Sequence, residues 1–380
     1  MFSSKSERLT PFYVMELLER AQELKRAGKS IIDLEIGEPD FPTAPHICKA
    51  AISALKAGET KYTHSLGLLE LREAITQYYN RKFALEISPL QVIVTSGTSP
   101  ALLLLFMGLL DRGDEVVMSN PYYACYPNFV EYLGGKPVFV HTSEDDGFGL
   151  KPDPVAQTLT GKTKAILINS PCNPTGYVMP PETLRGISEA ADKVPVISDE
   201  IYQGLIYKGK DHSILEFTNN AFVLNGFSKL YAMTGWRLGY LVAPPEYIRP
   251  LQKLQQNFFI CANSFVQHAG VAALLGPQEH VREMVGIYDE RRKYILKRLK
   301  ETGFGVGYEP QGAYYVLANA RDFGGDSLHL SRCILEDAGV AVTPGIDFGE
   351  GAEGYLRFSY SNNLDNIREG MDRIDRYFNG

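Results

Sequence analysis

A chain of 380 residues with 44% hydrophobic content can bury the core of a large domain and still supply a smaller one. Its formal net charge of -7, a sequence pI near 5.6 and the lack of any basic run long enough to track a phosphate backbone argue against nucleic acid as a partner. The longest apolar run, "ALLLLFMGLL", is too short to span a bilayer, and "MFSSKSERLTPFYVM" has no apolar core of signal-peptide length, so a cytoplasmic, unanchored protein is expected.

Cys48, Cys125, Cys172, Cys261 and Cys333 are odd in number and lack the close pairs of a zinc or redox motif, so reduced thiols are expected. The histidines, His64, His268 and His280 among them, show no ligand spacing and read as ordinary surface or core residues; no metal site is expected.

In chain order, the N-terminal stretch ends in "DLEIGEPDFPT", whose glycine and prolines predict a shaped loop outside any large sheet. Short β-rich apolar runs then alternate with helical patterns: "QVIVTS", then "SPALLLLFMGLL"; "DEVVMS"; "KPVFVHT"; "KAILINS"; "PETLRGISEAAD"; "VPVIS"; "AFVLNG". Near-continuous apolar strands spaced by helices predict an α/β large domain with a mainly parallel sheet flanked by helices on both faces. From about residue 276 a long charged helix follows, with Val281, Met284, Val285, Tyr288, Ile295 and Leu299 at helical spacing. The strands "GAYYVLA" and "YLRFSY" and a closing amphipathic helix carrying Ile367, Met371, Ile374 and Phe378 complete a smaller α+β domain. The expected division is 1–45 as the N-terminal segment of the small domain, 46–280 as the large domain and 281–380 as the small C-terminal domain.

Open parallel sheets bind ligands beyond the carboxyl ends of their strands, so the residues that follow each predicted strand are the candidates. After "QVIVT" comes Ser96-Gly97-Thr98-Ser99-Pro100, with Ser99 placed to cap a helix and Pro100 suited to its first position. Free backbone N–H groups beside hydroxyls, with no side chain on Gly97, suit an anion; a plain capped helix has the same signature. Next come Tyr122 and Tyr123, able to cover a flat ring or simply to pack, and "SPCNPTG", whose prolines hold Asn173 for a ligand or for a turn. Asp199 closes "VPVIS", where a carboxylate costs stability unless something cationic or protonated pairs with it. Lys229 follows "AFVLNGFS". A phosphate cradle, a stacking ring, an amide, a carboxylate and an amine at successive strand ends suit one ligand with an anion, a flat ring, a basic ring nitrogen and a carbonyl, and pyridoxal 5'-phosphate has all four.

"GEPDFPT", "KYTHSLGLLELREAI", "NPTG", "DEIY", "FSKLYAMTGWRLGY", "GVAVTPG" and "YLRFSY" resemble, in order and spacing, the class I and II aminotransferases, fold type I of the pyridoxal-phosphate enzymes and the aspartate aminotransferase superfamily. The resemblance implies that Lys229 is the Schiff-base lysine, bonding the cofactor and later moving the proton at the substrate Cα. It implies Arg237 on the phosphate, with Gly97, Thr98, Ser99 and Ser228 around it, and Asp199 keeping the ring nitrogen protonated. Asn173 and Tyr202 would meet the ring phenolate oxygen, and Tyr123 would stack on the ring. Arg357 would hold the substrate α-carboxylate, with Asn173 and the Gly37 N–H assisting. Tyr62 would reach the phosphate of a neighbouring subunit, which implies a homodimer with shared active sites.

Two departures from the family pattern stand out. Gly226 replaces a serine that in many members bonds the phosphate, so one phosphate contact is expected to be missing. Tyr123 replaces a tryptophan common in aspartate-specific members, while Phe12, Tyr13 and "QNFFICANS" bring no evident second arginine for a distal carboxylate. An apolar or aromatic amino donor, with 2-oxoglutarate as acceptor, is therefore expected over aspartate. "GEGAEG" matches the dinucleotide fingerprint but leads into a strand where the fingerprint requires a helix. A pyridoxal-phosphate lyase or racemase, which also starts by removing the Cα proton, is the nearest alternative. A ligand-sensing regulator would need a DNA-binding module, for which the 36 residues before Gly37 are too few.

Overall fold

The computed structural model describes residues 3–380. Its strands are β1 (Ile32–Asp33), β2 (Val92–Thr95), β3 (Glu115–Asn120), β4 (Lys136–His141), β5 (Thr163–Asn169), β6 (Val196–Asp199), β7 (Ala221–Gly226), β8 (Gly239–Val242), β9 (Tyr315–Asn319), β10 (Val340–Ala341), β11 (Thr343–Pro344) and β12 (Tyr355–Ser359). Seven form one sheet in the order β2-β8-β7-β6-β5-β3-β4, and all of the strands predicted between residues 91 and 226 belong to it. Pairing is parallel from β7 to β4, while β8 runs antiparallel to both β7 and β2. Sequence reading missed β8, "GYLV", because it opens on a glycine at the end of a longer motif that reads as a loop carrying Lys229 and Arg237.

Every residue of β2, β6, β7 and β8 is buried, as a sheet covered on both faces requires. Successive side chains part to two cores because the strand period is two. Ala165 and Leu167 join Ile93, Phe222 and Leu241 beneath helices Thr98–Leu109 and Pro245–Phe258. Ile166 and Ile168 join Val94, Val223 and Val242 beneath helices Leu69–Phe83, Pro181–Ala191 and Ser264–Leu275.

A second, antiparallel sheet has the order β11-β12-β9. Helices Glu279–Thr302 and Leu364–Asn379 pack on each other, and their Ile295, Leu299, Ile367 and Met371 share a core with Phe358 of β12. β1 pairs in parallel with β10, Ile32 opposite Val340, which draws the N-terminal segment onto the C-terminal third. Among the described residues no helix is long and apolar enough to cross a membrane. All five cysteines are free.

Candidate active site

The parallel strands deliver their last residues to one rim: Thr95 before Gly97, Asn120 before Tyr123, Asn169 before Asn173, Asp199 itself, and Gly226 before Lys229. The reversed β8 brings its beginning to the same rim, because Gly239 lies opposite both Thr95 and Gly226, and Arg237 stands two residues before it. The single antiparallel strand is thus what puts an arginine among the carboxyl ends of its neighbours.

That arginine rests on the start of a helix. A Cβ on Gly97 would lie 2.7 Å from Arg237 Nη2 and displace the guanidinium, and Gly97 has φ +106°, which favours glycine there. Helix Thr98–Leu109 begins directly after it, with no side chain capping its first N–H groups. Ser99 and Pro100 therefore do not open the helix as the sequence suggested; the turn at Gly97 starts it two residues early, and Ser99 is exposed. Arg237 is itself left-handed at φ +55°, a conformation that costs a non-glycine residue about 1–2 kcal/mol. Its Nη1 donates to the Thr234 carbonyl at 2.9 Å. Uncapped helix N–H groups, the Thr98 hydroxyl and a guanidinium converging on a bare glycine form a cradle for a dianion.

Lys229 Nζ donates to the Gly37 carbonyl at 2.7 Å and lies 5.9 Å from the centre of the Tyr202 ring. Burial, the largest cause, pulls its pKa down to about 8; Glu38 opposes the shift, while Arg357 and Arg237 add to it. Asp199 is buried, accepting from the Tyr126 hydroxyl at 2.8 Å and the Ile201 N–H at 3.1 Å. Burial raises its pKa to about 6 against those hydrogen bonds and the pull of Lys229. Asn169 couples strand to loop, its Nδ2 donating to the Asp199 carbonyl at 2.8 Å while its Oδ1 accepts from the Asn173 N–H at 2.9 Å.

Arg357, on β12, is buried and closes the crevice from the small-sheet side. Its Nη1 donates to Asn173 Oδ1 at 2.8 Å, and its Nη2 donates to Thr343 Oγ1 at 3.0 Å and to the Glu35 carbonyl. The rings of Tyr315 and Phe348 lie 4.3 and 4.9 Å from the guanidinium. The hydroxyls of Tyr202 and Tyr315 are hydrogen-bonded at 2.8 Å. Gly37 fits under that pair only without a side chain, since a Cβ would lie 1.7 Å from the Tyr315 hydroxyl. Its carbonyl, shared by Lys229 and the Tyr314 hydroxyl, makes the contacts here. Tyr123 is half-buried, with Phe12 and Tyr126 edge-on to it.

The structure therefore gathers Lys229, Asp199, Tyr202, Asn173, Gly37, Arg357, Gly97, Thr98, Arg237 and Tyr123 around one crevice, with Ser228 buried next to Lys229. Tyr62 is 82% exposed. Tyr13 lines a different hollow, of about 300 Å3, with Leu17, Leu328 and Arg332, and Phe258 and Ile260 of "QNFFICANS" are exposed, whereas Phe12 meets Tyr123 at the rim. Gly226 is crowded: a Cβ would meet the Leu238 carbonyl at 3.0 Å and Gly239 Cα at 3.1 Å, so a serine would push on the β7–β8 backbone. Sequence reading did not find Tyr126, Asn169, Tyr315 or Thr343. Tyr126 follows Tyr123 by one helical turn, and Asn169 is the last residue of β5, which is the signal that was available.

The residues fit pyridoxal phosphate: a bare-glycine cradle under a guanidinium for the phosphate, a buried carboxylate, and an amine held toward its neutral form. The sequence matches the model of the family "Aminotransferase class I and II" over residues 29–374. It is 43% identical to the (5-formylfuran-3-yl)methyl phosphate transaminase of Methanocaldococcus jannaschii, with all of both chains covered. Among solved structures it resembles a Methanococcus jannaschii protein described as similar in its active site to kynurenine aminotransferases (TM-score 0.92, 42% identity, 100% of both chains). It also resembles the Thermus thermophilus aspartate aminotransferase with maleate (TM-score 0.95, 36% identity, 99% of both chains). The chain belongs to the class I and II aminotransferases and is a pyridoxal-phosphate-dependent aminotransferase.

Proposed function

We propose that the protein moves the amino group of an apolar or aromatic L-amino acid to a 2-oxo acid such as 2-oxoglutarate. The observation that carries the donor class is the aromatic surround of Arg357, with Tyr315 and Phe348 flanking the guanidinium and Phe12 edge-on to Tyr123. The likeness to a protein compared with kynurenine aminotransferases supports it, and the relative that holds maleate, a dicarboxylate, favours the aspartate-specific alternative.

In this reading pyridoxal phosphate supplies a ring that accepts electrons from the substrate Cα. Asp199 holds the proton on the ring nitrogen, a cationic partner that would relieve the cost of its burial. Lys229 holds the cofactor and then moves the Cα proton, a task that its lowered pKa suits near neutral pH. Arg237, Gly97, Thr98, Ser99 and Ser228 take the phosphate, Asn173 and Tyr202 the phenolate oxygen, and Tyr123 the ring face. Arg357 binds the α-carboxylate, assisted by Asn173 and Gly37.

Single-turnover mixing of the loaded enzyme with individual amino acids, without any oxo acid, tests the donor class. Phenylalanine, leucine or alanine will convert the enzyme stoichiometrically and faster than aspartate. A faster reaction with aspartate overturns the donor class, and product formed over many turnovers without acceptor would mark a lyase or racemase.

We also propose a homodimer in which Tyr62 completes the partner's phosphate site. Tyr62, Phe258 and Ile260 are 82%, 64% and 49% exposed, and their two segments are tied side by side through Gln267 to Thr63 (3.1 Å) and Gln256 to Ser65 (3.3 Å). Apolar exposure concentrated on one face is what a second copy would cover. Mixing a Tyr62→Ala subunit with a Lys229→Ala subunit leaves one intact site per hybrid dimer, so random reassortment will restore about a quarter of wild-type activity at limiting cofactor. Activity that stays at the level of the separate variants contradicts shared sites. The boundaries 1–45, 46–280 and 281–380 are proposed on the β1–β10 pairing and on the start of helix Glu279–Thr302, and a cytoplasmic setting on the free cysteines.

A further inference from the structure

Helix Tyr13–Arg26 begins without a cap of its own, since Phe12 occupies the capping position and has no side-chain acceptor. The acceptor comes from 334 residues away: Asp347 Oδ1 takes the Tyr13 N–H at 3.0 Å, and its Oδ2 takes the Val14 N–H at 3.2 Å. One buried carboxylate thus satisfies two otherwise unpaired donors at the positive end of a helix. Asp347 belongs to the turn Gly345–Phe348, between β11 and the β12 strand that carries Arg357. Its neighbour Phe348 lies under the Arg357 guanidinium at 4.9 Å, and the Phe348 carbonyl accepts from the Tyr122 N–H at 3.1 Å. The same turn therefore touches the first turn of the N-terminal helix, the arginine of β12 and the segment that holds Tyr123.

On the other side of that clamp stands Phe12, 6.2 Å from the Tyr123 ring and nearly perpendicular to it. Two residues before Phe12, the Thr10 carbonyl accepts from Asn128 Nδ2 at a longer 3.4 Å. A helix start has one rotational setting in which both N–H groups meet the two oxygens of one carboxylate. Fixing Tyr13 and Val14 therefore fixes where Phe12, one residue earlier, is aimed.

We infer that Asp347 is a positioning residue for substrate selection: by clamping the first turn of helix Tyr13–Arg26 it holds Phe12 against Tyr123 as one wall of the pocket for the donor side chain. This rests on the proposed preference for apolar donors. Asp347 does not touch the reacting atoms; it acts through Phe12. Loss of a helix cap alone would lower stability without changing which donor is preferred, and this separates the two roles.

The test is a double-mutant cycle on the loaded enzyme with Asp347→Ala, Phe12→Ala and both together, alongside Asp347→Asn, with phenylalanine, leucine, alanine and aspartate as donors. Asp347→Ala is expected to raise KM for phenylalanine and leucine about tenfold while leaving alanine within about twofold and kcat nearly unchanged. Phe12→Ala will show the same selectivity change, and the double variant will be no worse than either single one, because both remove one wall. Asp347→Asn keeps one acceptor oxygen and will recover part of the loss. Hydrogen exchange will show the amides of Tyr13 and Val14 losing protection in Asp347→Ala but not in Phe12→Ala.

Equal falls for every donor, or effects of the two substitutions that simply add, overturn the inference. The cycle is read on whichever donor is fastest. If that donor is aspartate, the apolar-donor proposal falls, yet coupling or its absence between Asp347 and Phe12 still decides the positioning role.

Discussion

A Lys229→Ala enzyme will still take up pyridoxal phosphate but will turn over at least about 10⁴-fold more slowly than the wild type. In the proposed function two tasks fall to one side chain: the covalent hold on the cofactor and the base that moves the Cα proton. Proton transfer by a positioned side chain alone contributes roughly 10²–10⁴-fold, so their joint loss belongs at or beyond the top of that range. Lys229→Arg will be comparably slow, because a permanently charged guanidinium has no neutral amine to offer. Borohydride reduction followed by peptide mass spectrometry checks the assignment, with label on Lys229 in the wild type and none in the alanine variant.

The titration of the same amine gives a second readout. Burial holds its pKa at about 8, below that of an ordinary solvated lysine, so the neutral amine of the cofactor-free protein grows as pH rises through about 8. The rate of cofactor uptake will accordingly climb between about pH 7 and 9 and level off above. A rate that climbs only in the ordinary lysine range would place Lys229 in water rather than in the crevice. Undiminished activity of Lys229→Ala would overturn the assignment of this lysine altogether.

Arg357→Lys is expected to lower kcat/KM for amino acids by about 30-fold to several thousand-fold, the equivalent of about 2–5 kcal/mol. The guanidinium already spans Asn173, Thr343 and the Glu35 carbonyl, and its planar fork can keep such partners while its unpartnered Nε–H stays free in the same plane for a carboxylate. A lysine has one nitrogen on a flexible stem and leaves some of those buried acceptors unpaired. The control is an amine that lacks the α-carboxylate. Its reaction will change by less than about threefold if Arg357 serves the carboxylate, because that contact never forms. A fall of the same size for both substrates would make Arg357 a structural brace between β12 and the N-terminal segment.

Much of the site was legible because its parts are local. A strand that ends in a glycine, a proline-stiffened loop or a lone charge can be read from a few neighbouring residues, and the rule that ligands collect at the carboxyl ends of parallel strands then assembles Gly97, Tyr123, Asn173, Asp199 and Lys229 into one crevice. The family resemblance added Arg357 and Gly37, which lie in another part of the chain. The helix after Gly97 was read two residues late, since Ser99 and Pro100 carry the stronger local start signal and the packing of Gly97 against Arg237 decides otherwise. Of the apolar residues assigned to the substrate pocket, Phe12 meets the rim, while Tyr13 turns to another hollow and Phe258 and Ile260 lie exposed.

By itself the sequence determined what local rules can carry: an α/β sheet of near-continuous apolar strands, an α+β C-terminal third, and the chemistry waiting at each strand end. Tertiary structure decided what depends on contacts across hundreds of residues. It reversed β8 so that Arg237 reaches the rim, gave Asp199 the Tyr126 hydroxyl, braced Arg357 on the carbonyl of Glu35, and capped the N-terminal helix with Asp347. Periodicity and turn chemistry reach only a few residues along the chain, whereas those pairings are set by how the two sheets and the N-terminal segment pack against one another.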